Sequence, residues 1–126
     1  EYSYPTVPDP LRVQFCGGAE AAWYEEEPSV RTDSVLPALV ECFRRMAEEF
    51  DARCIATFDD DLLMAGSPGT RPWSFYLLYD VPDLQAVTAM VNLFRVEILG
   101  VRLDRYFRIE ALVGRTFFPA EPTVTS

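Results

Sequence analysis

Three consecutive carboxylates, Asp59, Asp60 and Asp61, follow Phe58. At the end of a strand, side-chain alternation sends Asp59 and Asp61 to one face and Asp60 to the other. Two carboxylates sharing a face repel, which raises the proton affinity of one and suits the pair to acid–base catalysis. The same run also reads as the solvated end of a hairpin. As a calcium or magnesium site it lacks the alternating ligands and glycine of a calcium loop, so no metal is expected. Asn92 and Arg95 stand three residues apart on a predicted helix and share a side. The planar guanidinium of Arg95 suits a forked clamp on a substrate carboxylate, with Asn92 as a hydrogen-bonding neighbour close to a buried stripe; a surface pair with Glu97 or Asp83 is the plainer alternative. Trp73, Phe75, Tyr76 and Tyr79 could wall an aromatic-binding cavity, with Tyr76 or Tyr106 donating to a phenol or carbonyl oxygen; the same aromatics also suit ordinary core. Arg71 is placed at the mouth of that cavity, and Arg108 and Glu110 as an ion pair on the last strand.

What the chain lacks narrows the chemistry further. There is no histidine, and all 11 basic residues are arginine. An imidazole base, a Ser-His or Cys-His pair, a His-bound metal, a lysine Schiff base and a Walker lysine are therefore excluded. Proton transfer is left to Asp, Glu, Tyr and Cys, and no cofactor is expected. A formal charge of −9 argues against nucleic acid, whose binding depends on clustered cations. Cys16, Cys42 and Cys54 show no C-x-x-C spacing, which fits a reducing cytoplasm better than a disulfide framework. Cys16, followed by Gly17 and Gly18, reads as a small buried hydrophobe. No apolar stretch approaches the ~20 residues of a membrane span, and the N-terminus resembles neither a signal nor a transit peptide.

The length of 126 residues suits one domain, placed at 11–117 between an extended tail over 1–10 and another over 118–126. Leu11, Val13 and Phe15 alternate with Arg12, Gln14 and Cys16, giving a strand ended by Gly17-Gly18. Residues 19–32 read as an acidic loop, including Glu25, Glu26 and Glu27. Asp33-Ser34 then offer an N-cap for a helix with Leu36, Leu39, Val40, Phe43, Met46, Ala47 and Phe50 as its buried stripe. Residues 53–58 form a second strand, and 73–79 a third that is covered on both faces. Asp83 starts a second helix in which Leu84, Val87, Val91, Phe94 and Ile98 recur until Gly100. Residues 103–113 form the fourth strand.

This order, βαββαβ, predicts an α+β ferredoxin-like fold: a four-stranded antiparallel sheet with two helices on one face. The other face would expose Tyr76, Leu78, Tyr106 and Leu112, which predicts a homodimer. The architecture resembles the dimeric α+β barrel superfamily, which includes quinol monooxygenases, muconolactone isomerases and polyketide cyclases. A narrower likeness rests on Phe58-Asp59-Asp60-Asp61, Met64, Gly66, Pro72-Trp73, Tyr76-Leu77-Leu78, Val81-Pro82-Asp83, Asn92-Leu93-Phe94-Arg95, Glu110 and Gly114-Arg115. These segments resemble the IacB-like proteins of indole-3-acetate degradation clusters, which implies a role around a small aromatic acid. The expected function is a cofactor-independent isomerase, cyclase or lyase acting on a small aromatic or polyketide-like acid. Asp59, Asp61 and Tyr76 would be catalytic, and Arg95, Asn92, Trp73, Arg71 and Tyr106 would bind substrate. A non-catalytic ligand-binding accessory protein is the alternative, and a cofactor-independent monooxygenase a further one.

Overall fold

The computed structural model of this chain describes residues 11–66, 73–115 and 117–120. Its elements are β1 (Leu11–Ala19), α1 (Ala21–Glu25), α2 (Pro28–Val30), a π-helical turn (Arg31–Val35), α3 (Leu36–Phe50), β2 (Arg53–Asp59), β3 (Phe75–Val81) and α4 (Leu84–Asn92). A 3₁₀ turn (Leu93–Arg95), the small hairpin of β4 (Glu97–Ile98) and β5 (Val101–Arg102), and a second 3₁₀ turn (Leu103–Arg105) lead to β6 (Phe107–Val113). A last 3₁₀ turn covers Phe118–Ala120. The tail expected over 1–10 and the final part of the other tail lie outside the described residues.

The result is an α+β fold built on a four-stranded antiparallel sheet in the order β2-β3-β1-β6. The central strand β1 carries the alternation that sequence periodicity predicts. Leu11, Val13 and Phe15 are buried, and they join Leu77, Tyr79 and Val81 of β3 in one core cluster with Ala38, Cys42 and Met46 of α3 and Ala86, Val87 and Met90 of α4. Burying each of the larger side chains contributes about 1.5–3 kcal/mol. Phe15 meets the Tyr79 ring edge-on at 5.8 Å between centroids.

Gly17 and Gly18 are required by what lies over them. A Cβ on Gly17 would come within 2.0 Å of the Phe75 ring, and one on Gly18 within 2.4 Å of the Arg108 guanidinium. That guanidinium also stacks on Trp73 at 4.9 Å from the ring centroid. The strand thus carries its glycines where a ring and a cation lie flat against its backbone. Cys16 beside them is buried, and burial together with Glu110 pushes its thiol up.

Several sequence expectations change, among them the end of the first strand, which continues through Gly17 and Gly18 to Ala19. The acidic stretch is not a plain loop, because the helical path begins at α1 and resumes at Pro28, so Asp33 and Ser34 fall inside a helical run and cap nothing. The π-helical turn widens the path just ahead of Pro37, whose ring and missing N–H do not fit an ordinary helical turn. The second helix starts as expected, with the Ala86 N–H donating to the Asp83 carboxylate at 2.8 Å, but it ends at Asn92 and not at Gly100. Val96 is extended, and Leu99 and Gly100 take φ of 49° and 80°, which makes them the two-residue turn of the β4–β5 hairpin. The last strand begins at Phe107, because Leu103–Arg105 wind into a 3₁₀ turn that buries Leu103.

Candidate functional site: an apolar cleft between α3 and strands β2 and β3

Helix α3 carries more apolar surface than the sheet covers. The fully buried stripe is Val35, Ala38, Cys42 and Met46, whereas Leu36 and Val40, expected in the core, are exposed. Ala38, Cys42 and Met46 of this stripe belong to the core cluster that α3 shares with the sheet. Leu39, Val40, Phe43 and Ala47 are turned instead toward edge strand β2 and its neighbour β3. There they form one wall of a cleft of about 660 Å³, with Phe75, Leu77 and Tyr79 of β3 and Cys54 and Thr57 of β2 opposite and Arg44 at the lining. Cys54 and Thr57 are accordingly exposed although they belong to the helix-facing register. The cleft is open to solvent, with Val40, Arg44, Ala47, Cys54 and Thr57 exposed, and its volume falls within the range of small-molecule sites.

The polar groups of the cleft are few. The Tyr79 hydroxyl contacts Cys54, and burial first, then Cys54, pushes it well above the ordinary tyrosine range. Burial pushes the Cys42 thiol beneath it up to about 12, so Cys42 is a packing group. Arg44 is spanned along its own helix: its Nε donates to Glu41 Oε1 at 2.7 Å, and its Nη1 donates to Glu48. The Arg44 hydrogen bond holds the Glu41 carboxyl below its usual range.

The residues singled out from sequence are distributed over several places. Asp59 closes β2 opposite Phe75, two positions beyond Thr57 on the register that faces the cleft. Its Oδ1 accepts from the Asp61 N–H at 3.1 Å, so the two aspartates form a turn and Asp61 is carried past the strand end. Tyr76 pairs across the sheet with Phe58 and Cys16 on the opposite face, half-buried. Trp73 is half-buried under Arg108, whose Nη1 lies 3.9 Å from Glu20 and 3.5 Å from the Ala19 carbonyl. Asn92 and Arg95 do come together, with Arg95 Nη1 donating to Asn92 Oδ1 at 3.4 Å; both are exposed, so the amide expected beside a buried stripe is solvated.

Tyr106 was expected on the open sheet face. It is buried in the core cluster, and its hydroxyl donates to Glu26 Oε2 at 2.7 Å, tying the segment after α1 to the start of β6. This bond lowers the Glu26 carboxyl from its ordinary range. Arg71 lies outside the described residues. Of the expected cavity wall, Phe75 and Tyr79 line the cleft; its other lining groups, Leu39, Val40, Phe43, Arg44, Ala47, Cys54, Leu77 and Thr57, carried no functional signal in sequence.

Among the described residues no group of three or more His, Cys, Asp or Glu side chains is placed to hold a metal ion, and no helix is long and apolar enough to cross a membrane. No family model, curated protein or solved structure matches this chain.

Proposed function

We propose that this chain is a cofactor-independent enzyme of ferredoxin-like, dimeric α+β barrel architecture. It takes a small aromatic or polyketide-like compound into the α3/β2–β3 cleft and isomerises, cyclises or cleaves it by acid–base chemistry. The observation that carries this reading is the register of Asp59, a carboxylate opposite Phe75 and two positions beyond Thr57 on the cleft-facing side of β2, outside the lining residues themselves. Asp59 would move the proton at an activated carbon, while the Thr57 hydroxyl or Tyr79 hydroxyl donates to the developing enolate oxygen. The likeness of the Asp59–Asp61 and Asn92–Arg95 segments to IacB-like proteins supports an aromatic compound. The strand order β2-β3-β1-β6 supports the ferredoxin-like assignment. For the dimer, support comes from the sheet face away from the helices, which presents Phe58, Tyr76, Leu78 and Leu112.

A non-catalytic ligand-binding role is favoured by one feature: the polar groups in the cleft wall itself are hydroxyls, a thiol and an already paired guanidinium. Deuterium exchange at the activated carbon of hydroxyaromatic and 1,3-dicarbonyl compounds, followed by NMR, separates the readings. Asp59→Asn is expected to lower exchange about 100-fold and to leave binding within about twofold. Binding of these compounds with no exchange in the parent protein would establish the accessory role.

A further inference from the structure

We infer that the α3/β2–β3 cleft selects an uncharged ring-bearing ligand with one or two hydrogen-bonding groups and discriminates against its carboxylate analogue. The inference rests on the cleft being the ligand site and departs from the aromatic acid that family likeness implies.

It follows from the charges around the cleft. Arg44 is the one cation in the described lining, and its two ends are occupied by Glu41 and Glu48. One cation held between two carboxylates leaves that rim with a net negative charge. The next charged group on the cleft-facing register is Asp59, again negative. An entering carboxylate would lose water against Leu39, Phe43, Phe75 and Leu77 and find no uncommitted cation among the described lining residues in exchange, which is an unfavourable desolvation. A neutral ring gains from the same apolar wall. Its oxygen or nitrogen finds Thr57, Cys54 and Tyr79, which suit a phenol, an enol or a ketone. The chain's overall charge of −9 acts in the same direction on approach.

The test uses 2-naphthol and 2-naphthoate, alike in ring size and opposite in the property that matters at pH 7. Cys54 is exposed at the cleft, whereas Cys16 and Cys42 are buried, so the rate of Cys54 alkylation by N-ethylmaleimide reads occupancy on the intact protein. 2-Naphthol is expected to protect Cys54 with a dissociation constant about tenfold lower than that of 2-naphthoate. In the double variant Glu41→Gln, Glu48→Gln, which frees Arg44, the ratio should shrink to about twofold, through tighter naphthoate binding.

Equal or tighter binding of naphthoate to the parent protein would overturn the charge selection and leave the cleft as the ligand site. If neither compound protects Cys54, both the selection and the cleft assignment fail. Protection that rises with protein concentration in the absence of either compound would place a second copy of the chain in the cleft, and would likewise overturn the inference.

Discussion

Gly17→Ala puts a methyl group into space already filled by Phe75. An ideal Cβ there would lie 2.0 Å from Cζ, 2.3 Å from Cε2 and 2.5 Å from Cε1 of that ring. Carbon atoms settle near 3.5 Å, so the ring must withdraw by about 1.5 Å. The Phe107 ring, edge-on at 6.1 Å between centroids, opposes movement into the core, which leaves the cleft side as the way out. Overpacking of this kind costs about 1–3 kcal/mol, and about 2 kcal/mol is expected because Phe75 is only half-buried and can give. For a domain of this size that corresponds to a melting temperature about 8 °C lower. Urea titration should show a lower midpoint at unchanged slope. The decisive comparison is a double-mutant cycle with Phe75→Ala, in which Gly17→Ala should cost less than about 0.5 kcal/mol once the ring is gone. If Gly17→Ala is as stable as the parent, or costs the same with and without the ring, the close packing of Phe75 on the β1 backbone is refuted, and with it the placement of one cleft wall.

Ala47→Trp should fill the cleft from an exposed position, abolishing 2-naphthol binding by titration calorimetry while stability stays within about 0.5 kcal/mol in thermal melts. Arg12 donates to both carboxylate oxygens of Asp80, at 2.8 and 3.1 Å, and holds its carboxyl below the usual range. A depressed folded-state value means that the stabilisation is present above the unfolded aspartate pKa of about 3.9 and is lost as pH falls through the folded value. Asp80→Asn should therefore cost about 0.5 kcal/mol at neutral pH, small because Arg12 is half-exposed, and the gap from the parent should close on acidification, as read by urea curves. Light scattering should give the parent about twice the 14.3 kDa chain mass, whereas Phe58→Arg with Leu112→Arg, both on the sheet face away from the helices, should give a folded monomer.

Much of the fold was legible because its strongest signals are local. The alternation through Leu11, Val13 and Phe15 and the Asp83 cap each need only a few neighbouring residues to be read. The end of α4 was not legible. Phe94 and Ile98 continue the helical spacing of Val87 and Val91 and are indeed buried, but they reach the core from a 3₁₀ turn and a hairpin strand. The signals against a longer helix were Val96 and the Leu99-Gly100 pair, whose φ values depend on a turn that periodicity does not register.

The site was less legible than the fold. Leu39, Val40, Phe43 and Ala47 read as core because apolar residues at helical spacing ordinarily are. Which of two apolar stripes on α3 is buried, the one through Ala38, Cys42 and Met46 or the one through Leu39, Phe43 and Ala47, is a tertiary matter that helical spacing leaves open. Arg44 with Glu41 and Glu48 is visible in sequence as ordinary helix-surface pairing. Its meaning changes only when the cleft beside it is known. Asp59 was singled out by residue type, and strand register places it on the cleft-facing side; Asn92 and Arg95 meet as their spacing demanded, yet one stands at the exposed end of α4 and the other in the 3₁₀ turn after it.

We place small-molecule binding in the α3/β2–β3 cleft. A titration of uniformly ¹⁵N,¹³C-labelled protein with 2-naphthol, followed by amide and methyl chemical shifts, tests it most directly. Saturable shifts are expected at Leu39, Val40, Phe43, Thr57, Phe75 and Leu77, with Tyr76 and Leu112 on the opposite sheet face unmoved. Shifts centred on Tyr76 and Leu112, or no saturable shifts at all, would contradict binding in the cleft.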